Sequence, residues 1–223
     1  MAREGMACVA ASAAELHLHP RDLDGRESLA PATMDATMLA VRRACPGTLI
    51  GVSTGAWMEG DERRTLACID GWNELPDYAS VNLEERDAPA VMERLRQRGI
   101  EAGLASVADA ERLVALDGGR RSLRILIEMS EQNAGEAMAV AGGIREVLDR
   151  AGTRRPMLLH GFDAIVWDFV TLAAQRRWST RVGLEDGNQL ANGAIAASNA
   201  ALTAAAVEVF RKWAGLGGPA PPL

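Results

Sequence analysis

The chain has 223 residues, a formal net charge of −6, few aromatic side chains and about a quarter charged residues. That length suits one sizeable core, the acidic balance excludes a broad nucleic-acid surface, and no run of about 18 apolar residues offers a transmembrane helix. The three cysteines, Cys8, Cys45 and Cys68, lie far apart, are odd in number and lack CxxC spacing, so neither a disulfide framework nor a thiolate zinc site is implied, and a reducing cytoplasm fits.

In chain order, residues 2–12 read as a helix, and "AELHLH" (14–19) as the first strand. The opening loosely mimics a signal peptide, but it is short, Ala-rich and runs straight into that strand. A helix over 32–44 leads to a strand at 48–53. Strands follow at 77–83, 100–106, 123–129, 157–162 and 180–185, separated by helices over 88–99, 107–116, 134–152 and 164–177, with a last helix over 199–213. Seven strands alternating with helices predict a parallel sheet with helical crossovers.

Side-chain parity separates an open sheet from a barrel. One side of the strands is aliphatic, carrying Leu16 and Leu18, Ile50 and Val52, Val81 and Leu83, Ile125 and Ile127, Val182 and Leu184. The other side is small and then polar toward the strand ends: His17 and His19, Ser53, Asn82, Glu101, Glu128, His160, Arg181 and Glu185. Polar ends on every strand describe the mouth of an α/β TIM barrel, (β/α)8, in which loops after the strands build the site. The expected domain is one such barrel over 1–215, with seven of its eight strands in view and no counterpart of the strand that would precede the helix 2–12. A Gly- and Pro-rich tail, 216–223, is expected to fray.

Two histidines at i and i+2 on a strand point the same way and can bind one divalent metal. Glu185 ends the last predicted strand on the inward parity, which barrel closure would bring beside the first. A two-His, one-carboxylate set with an open position suits catalytic zinc, or another first-row metal. "HLHPRD" (17–22), "GVSTG" (51–55), "ASVNL" (79–83), "RVGLED" (181–186) and the following "NGAIAASNAAL", in this order, resemble the β-keto acid cleavage enzymes, typified by the 3-keto-5-aminohexanoate cleavage enzyme. The resemblance implies a zinc-dependent barrel that reacts a β-keto acid with acetyl-CoA to give acetoacetate and a new acyl-CoA. It implies His17, His19 and Glu185 as metal ligands, Asp186 as the base and Arg181 as the cation paired with it. Glu101 would support the catalytic group, and Ser53, Thr54 and Asn82 would contact substrate. The resemblance departs from the family at the start, where the first strand and a substrate-contacting acid after it have no counterpart, and at "STGAW", which replaces a glycine-richer stretch. Small molecules and further copies of the chain are the expected partners. Two alternatives stand beside it: an amidohydrolase-like hydrolase, which also begins with HxH but calls for further histidines from middle strands, and a non-catalytic metal-binding barrel.

Overall fold

The structure, a computed structural model, describes residues 1–214; the tail expected at 216–223 lies outside them. Six strands form one parallel sheet in the order of the chain: β1 (Glu15–Leu18), β2 (Leu49–Ser53), β3 (Tyr78–Asn82), β4 (Gly99–Leu104), β5 (Arg124–Met129) and β6 (Met157–Gly161). The helices are α1 (Ala2–Ala10), α2 (Pro31–Ala44), α3 (Glu62–Asp70), α4 (Ala88–Arg94), α5 (Val107–Ala115), α6 (Gly118–Arg121), α7 (Ala134–Arg150), α8 (Val166–Arg176) and α9 (Asn199–Ala214). Helix starts carry their own signals. Pro31 opens α2, and the side chain of Asn133 accepts from Gly135 and Glu136 at the start of α7. Ser106 accepts from the Asp109 amide while the Asp109 carboxylate reaches back to Ala105 and Ser106, closing the first turn of α5.

The aliphatic parity is the packed one. Leu16, Leu18, Ile50, Val52, Val81, Ile100, Ile125, Ile127 and Leu159 join Met34, Met38, Leu113, Ile144 and Phe169 of the helices in one buried core. Burying a side chain of this size stabilises by about 1.5–3 kcal/mol, so this face alone fixes which way the sheet turns. On the opposite face small residues leave space: a Cβ on Gly51 would fall 2.0 Å from the Tyr78 ring, which occupies that room.

The sheet is strongly curved. β1 and β5 stand four strand spacings apart, roughly 19 Å on a flat sheet, yet Arg124 Nη1 on β5 meets Glu15 Oε2 on β1 at 2.6 Å. Only a half-barrel, concave on the polar face, allows that contact.

The seventh expected strand does not form, and the (β/α)8 barrel is accordingly not closed. Ser179 makes a single parallel bridge to Leu158, and Thr180 Oγ1 donates to the Leu159 carbonyl at 2.8 Å. The chain then turns, with the amides of Asp186 and Gly187 donating to the Gly183 carbonyl at 3.0 and 3.2 Å. Among the described residues β1 pairs only with β2, so a strand at 180–185 would have β6 on one side and an open edge on the other. Leu184, on the side expected to be covered, is exposed. The helices nevertheless close the ring: α9 packs against both α8 and α1, and Glu4 accepts from the Asn199 amide at 3.2 Å. Helical packing therefore brings the turn 183–186 back to β1 where strand pairing does not.

Candidate active site

The concave face has a floor at the strand starts and a mouth at their ends. At the floor, Arg124 bonds Glu15 and, through Nε, Glu101, and its guanidinium lies 4.5 Å from the Tyr78 ring centroid. Glu101 is fully buried and accepts from Ser80 Oγ at 2.5 Å. Register explains the cluster, since Ser53, Ser80, Glu101 and Arg124 are successive partners across β2 to β5. Burial, then the Glu101 charge, pushes the Tyr78 hydroxyl well above its usual range, keeping it neutral.

Higher up, Arg181 Nη2 donates to Glu128 Oε2 at 2.9 Å and its Nη1 stands 3.6 Å from Glu101 Oε1, tying mouth to floor. His160 Nε2 meets the same Glu128 oxygen at 2.7 Å. Arg181 Nη2 stands 3.0 Å from the same ring nitrogen, so carboxylate, imidazole and guanidinium meet at one point. His160 Nδ1 then faces Asp186 Oδ1 at 3.8 Å. Burial raises the Glu128 carboxyl, but the His160 hydrogen bond and the charges of His160 and Arg181 outweigh it and hold the group below its ordinary value.

Asp186 is held by its backbone. Its carbonyl accepts from the Asp163 amide at 2.6 Å, and Asp163 adopts a left-handed φ of 47° at the turn after β6. Its side chain is 2 % exposed, and burial pushes its pKa up, with the charges of His160 and Arg181 acting in the opposite sense. Arg181 and Asp186 do not pair within 4.0 Å; the guanidinium goes to Glu128 and Glu101 instead. The expected ion pair is thus replaced by a carboxylate made more basic by burial.

At the rim, the His17 and His19 rings lie 5.2 Å apart and His19 Nε2 is 3.6 Å from Glu185 Oε1. Burial, then the positive charge of Arg181, drives the His17 imidazole well below its ordinary 6.5, so it is neutral with a lone pair available. His17 Nδ1, His160 Nδ1, Arg181 Nε and Nη1, and Asp186 Oδ2 are all buried without a hydrogen-bond partner. Buried polar atoms are normally satisfied, so such a cluster marks a place where a ligand belongs.

The residues fit a divalent metal. No three His, Cys, Asp or Glu side chains among the described residues stand in a closed ligand cluster. Yet two of the expected ligands, His19 and Glu185, are in contact, and the third carries an unpartnered nitrogen on a neutral ring one strand step away. On the concave face the carboxylates Glu15, Glu101, Glu128 and Asp186 outnumber the guanidiniums Arg124 and Arg181, an excess that a cation relieves.

The remaining expected residues stand on the same face in different states. Ser53 is buried at the end of β2, with its hydroxyl 3.4 Å from the Gly55 amide. The Thr54 hydroxyl donates to the Ser80 carbonyl at 2.7 Å, bracing β3. Asn82 ends β3 over Gly103. Sequence reading missed Glu15, Ser80 and Arg124, although all three share the inward parity. It also missed Glu27, which accepts from His19 Nδ1 at 3.2 Å from a loop with no periodic signal. An open groove of about 520 Å³ runs past Glu27 and Trp57, lined also by Arg21, Asp22 and Glu59.

A curved parallel α/β sheet with its polar groups at the strand ends defines a barrel-type enzyme scaffold. The chain belongs to the beta-keto acid cleavage enzyme family, whose sequence model matches residues 1–117. That match contains His17, His19, Ser53, Asn82 and Glu101. A search of curated proteins gives no match. The fold is similar to that of ObcA in its apo form (TM-score 0.73, 16 % identity, 98 % of this chain and 61 % of that one). It also matches ObcA in a binary complex with oxaloacetate (0.73, 15 %, 99 % and 63 %) and in a ternary complex with a C4-CoA adduct and oxalate (0.74, 16 %, 99 % and 64 %). The chain spans somewhat over three-fifths of the length of these structures.

Proposed function

We propose that this chain is a zinc-dependent transferase that converts a β-keto acid and acetyl-CoA into acetoacetate and a new acyl-CoA. The observation that carries this reading is the cluster of unpartnered polar atoms on His17, His160, Arg181 and Asp186 beside the His19–Glu185 contact. Family membership supports the reaction class. The ObcA complexes with oxaloacetate, itself a β-keto acid, and with a CoA adduct support the pairing of such an acid with a CoA thioester on this fold. Three free thiols fit a cytoplasmic setting.

His17, His19 and Glu185 would hold the zinc, which when bound supplies Lewis-acid stabilisation of enolate charge. Asp186 Oδ2, unpartnered and made more basic by burial, removes a proton from the carbon between ketone and carboxylate. Arg181 presents Nε–H and Nη1–H to the oxygens that gather negative charge, while Glu128 fixes the guanidinium and Glu101 supports it from below. Ser53 and Asn82 contact the substrate at the ends of their strands, and Thr54 keeps Ser80 in place beneath them. The substrate carbanion adds to the acetyl carbon and CoA leaves as thiolate. The thiolate then attacks the original ketone carbon, the bond from that carbon to the former nucleophile breaks, and acetoacetate takes back the proton from Asp186.

Zinc-loaded protein incubated with acetyl-CoA and a panel of β-keto acids tests this, with acetoacetate as the measured product. Formation from at least one acid, abolished in Asp186→Asn, is expected. If no acid yields acetoacetate, the non-catalytic metal-binding reading takes its place.

A further inference from the structure

Glu27 lies outside every motif in the sequence, yet three side chains converge on it. His19 Nδ1 meets its Oε2 at 3.2 Å, Trp57 Nε1 donates to the same oxygen at 2.9 Å, and Arg21 Nη2 donates to Oε1 at 3.0 Å. The loop that delivers it is preformed. Asp22 Oδ1 accepts from the amides of Asp24 and Arg26, both at 2.9 Å, and Gly25 takes a φ of +81° that lets the chain reverse. An antiparallel bridge between Arg21 and Glu27 closes this small hairpin. Trp57, otherwise 57 % exposed, lies against Gly55 with its one polar atom aimed at the carboxylate.

An imidazole has two nitrogens, and the partner of one decides the state of the other. A carboxylate at Nδ1 places the proton there and leaves Nε2 as the lone-pair donor. That Nε2 is the atom facing Glu185, at 3.6 Å. We infer that Glu27, clamped by Trp57 and Arg21, is a positioning carboxylate that orients His19 as a metal ligand, so that the histidine presents Nε2 toward Glu185. This rests on the metal site proposed above. It gives Trp57 a role as well: its indole N–H and Arg21 hold Glu27 with both oxygens occupied, restricting its carboxylate to one orientation toward the ring.

The test measures zinc affinity of the metal-free full chain by competition with a chromophoric chelator, beside apo-protein thermal melting. Loss of an outer carboxylate behind a ligating histidine lowers metal affinity by about 10–100-fold. Glu27→Ala is expected in that range with an unchanged apo melting temperature. Glu27→Gln, which keeps an acceptor oxygen, should fall in between, and Trp57→Phe should lose a few-fold. His17→Ala serves as the reference for loss of a ligand. Wild-type affinity in Glu27→Ala and Glu27→Gln, with His17→Ala impaired, overturns the role of Glu27 and leaves the metal site standing. Wild-type affinity in His17→Ala, or no uptake by the parent chain, overturns both. Should Glu27→Ala fail to fold, Glu27→Gln and Trp57→Phe decide between the same outcomes.

Discussion

At the floor of the concave face Arg124 finds Glu15, Glu101 and the Tyr78 ring, and Ser80 completes Glu101, with no buried polar atom of these groups left over. At the mouth, His17 on β1, His160 on β6, and Arg181 and Asp186 in the segment after it each keep a buried atom unpartnered. Charge and burial are similar at the two ends, so neither property distinguishes structure from function here. Satisfaction does: the floor is a closed network that holds the half-barrel curved, and the mouth is an open one that awaits a ligand.

The largest expected effect lies at the mouth. Asp186→Asn should lower turnover by about 10²–10⁴-fold, the range for removing a positioned base, measured as acetoacetate release under saturating acetyl-CoA. Its melting temperature should hold or rise, because a buried carboxylate with an unpartnered oxygen is replaced by a neutral amide. A marked loss of stability would move Asp186 from the open network to the closed one.

The floor should respond in the opposite sense. Arg124→Met leaves Glu101 fully buried with only the longer 3.6 Å contact to Arg181, and breaking a buried pair costs up to about 3–5 kcal/mol, readable as a shift of the urea midpoint. Adding Glu101→Gln should recover part of that loss, since the uncompensated charge disappears with it. If the double variant is no more stable than the single one, the cost comes from lost packing against Tyr78 rather than from the unpaired charge.

How far the sequence foretold these two ends follows from what each is made of. Six strands and the aliphatic face were legible because period-two burial leaves a direct trace. His17, His19, Glu101, Glu128 and His160 could be read from the inward parity. Arg124 and Glu15 carried the same signal and were missed because they sit at strand starts, where a polar residue reads as an edge. Residues 180–185 alternate like a strand but lack a neighbour on one side, and pairing partners cannot be read from one segment's pattern. The Arg181–Asp186 pairing came from the family resemblance and not from the local pattern, since five positions along a strand place two side chains on opposite faces; in the structure Glu128 takes the Arg181 guanidinium, and Asp186 sits in the turn at 183–187. Glu27 and Trp57 come from loops, whose geometry depends on the rest of the fold.

The smallest effect should fall on Glu128, whose partners are His160 and Arg181 at the mouth. Its carboxyl is held below the ordinary value of 4.5: burial would raise it, but His160 and Arg181 stabilise the charged form more. A depressed folded-state value means the stabilisation is present above the unfolded value and is lost as pH falls through the folded one. Glu128→Gln should therefore cost about 1.5–3 kcal/mol at neutral pH, the range for a charge-assisted hydrogen bond. The difference from the parent chain should shrink once the pH drops below about 4.5 and continue to close as acidity increases. Urea unfolding of both proteins across that window provides the check. A difference that stays constant with pH would mean that Glu128 acts through shape alone and that its charge does no more than fill space between His160 and Arg181.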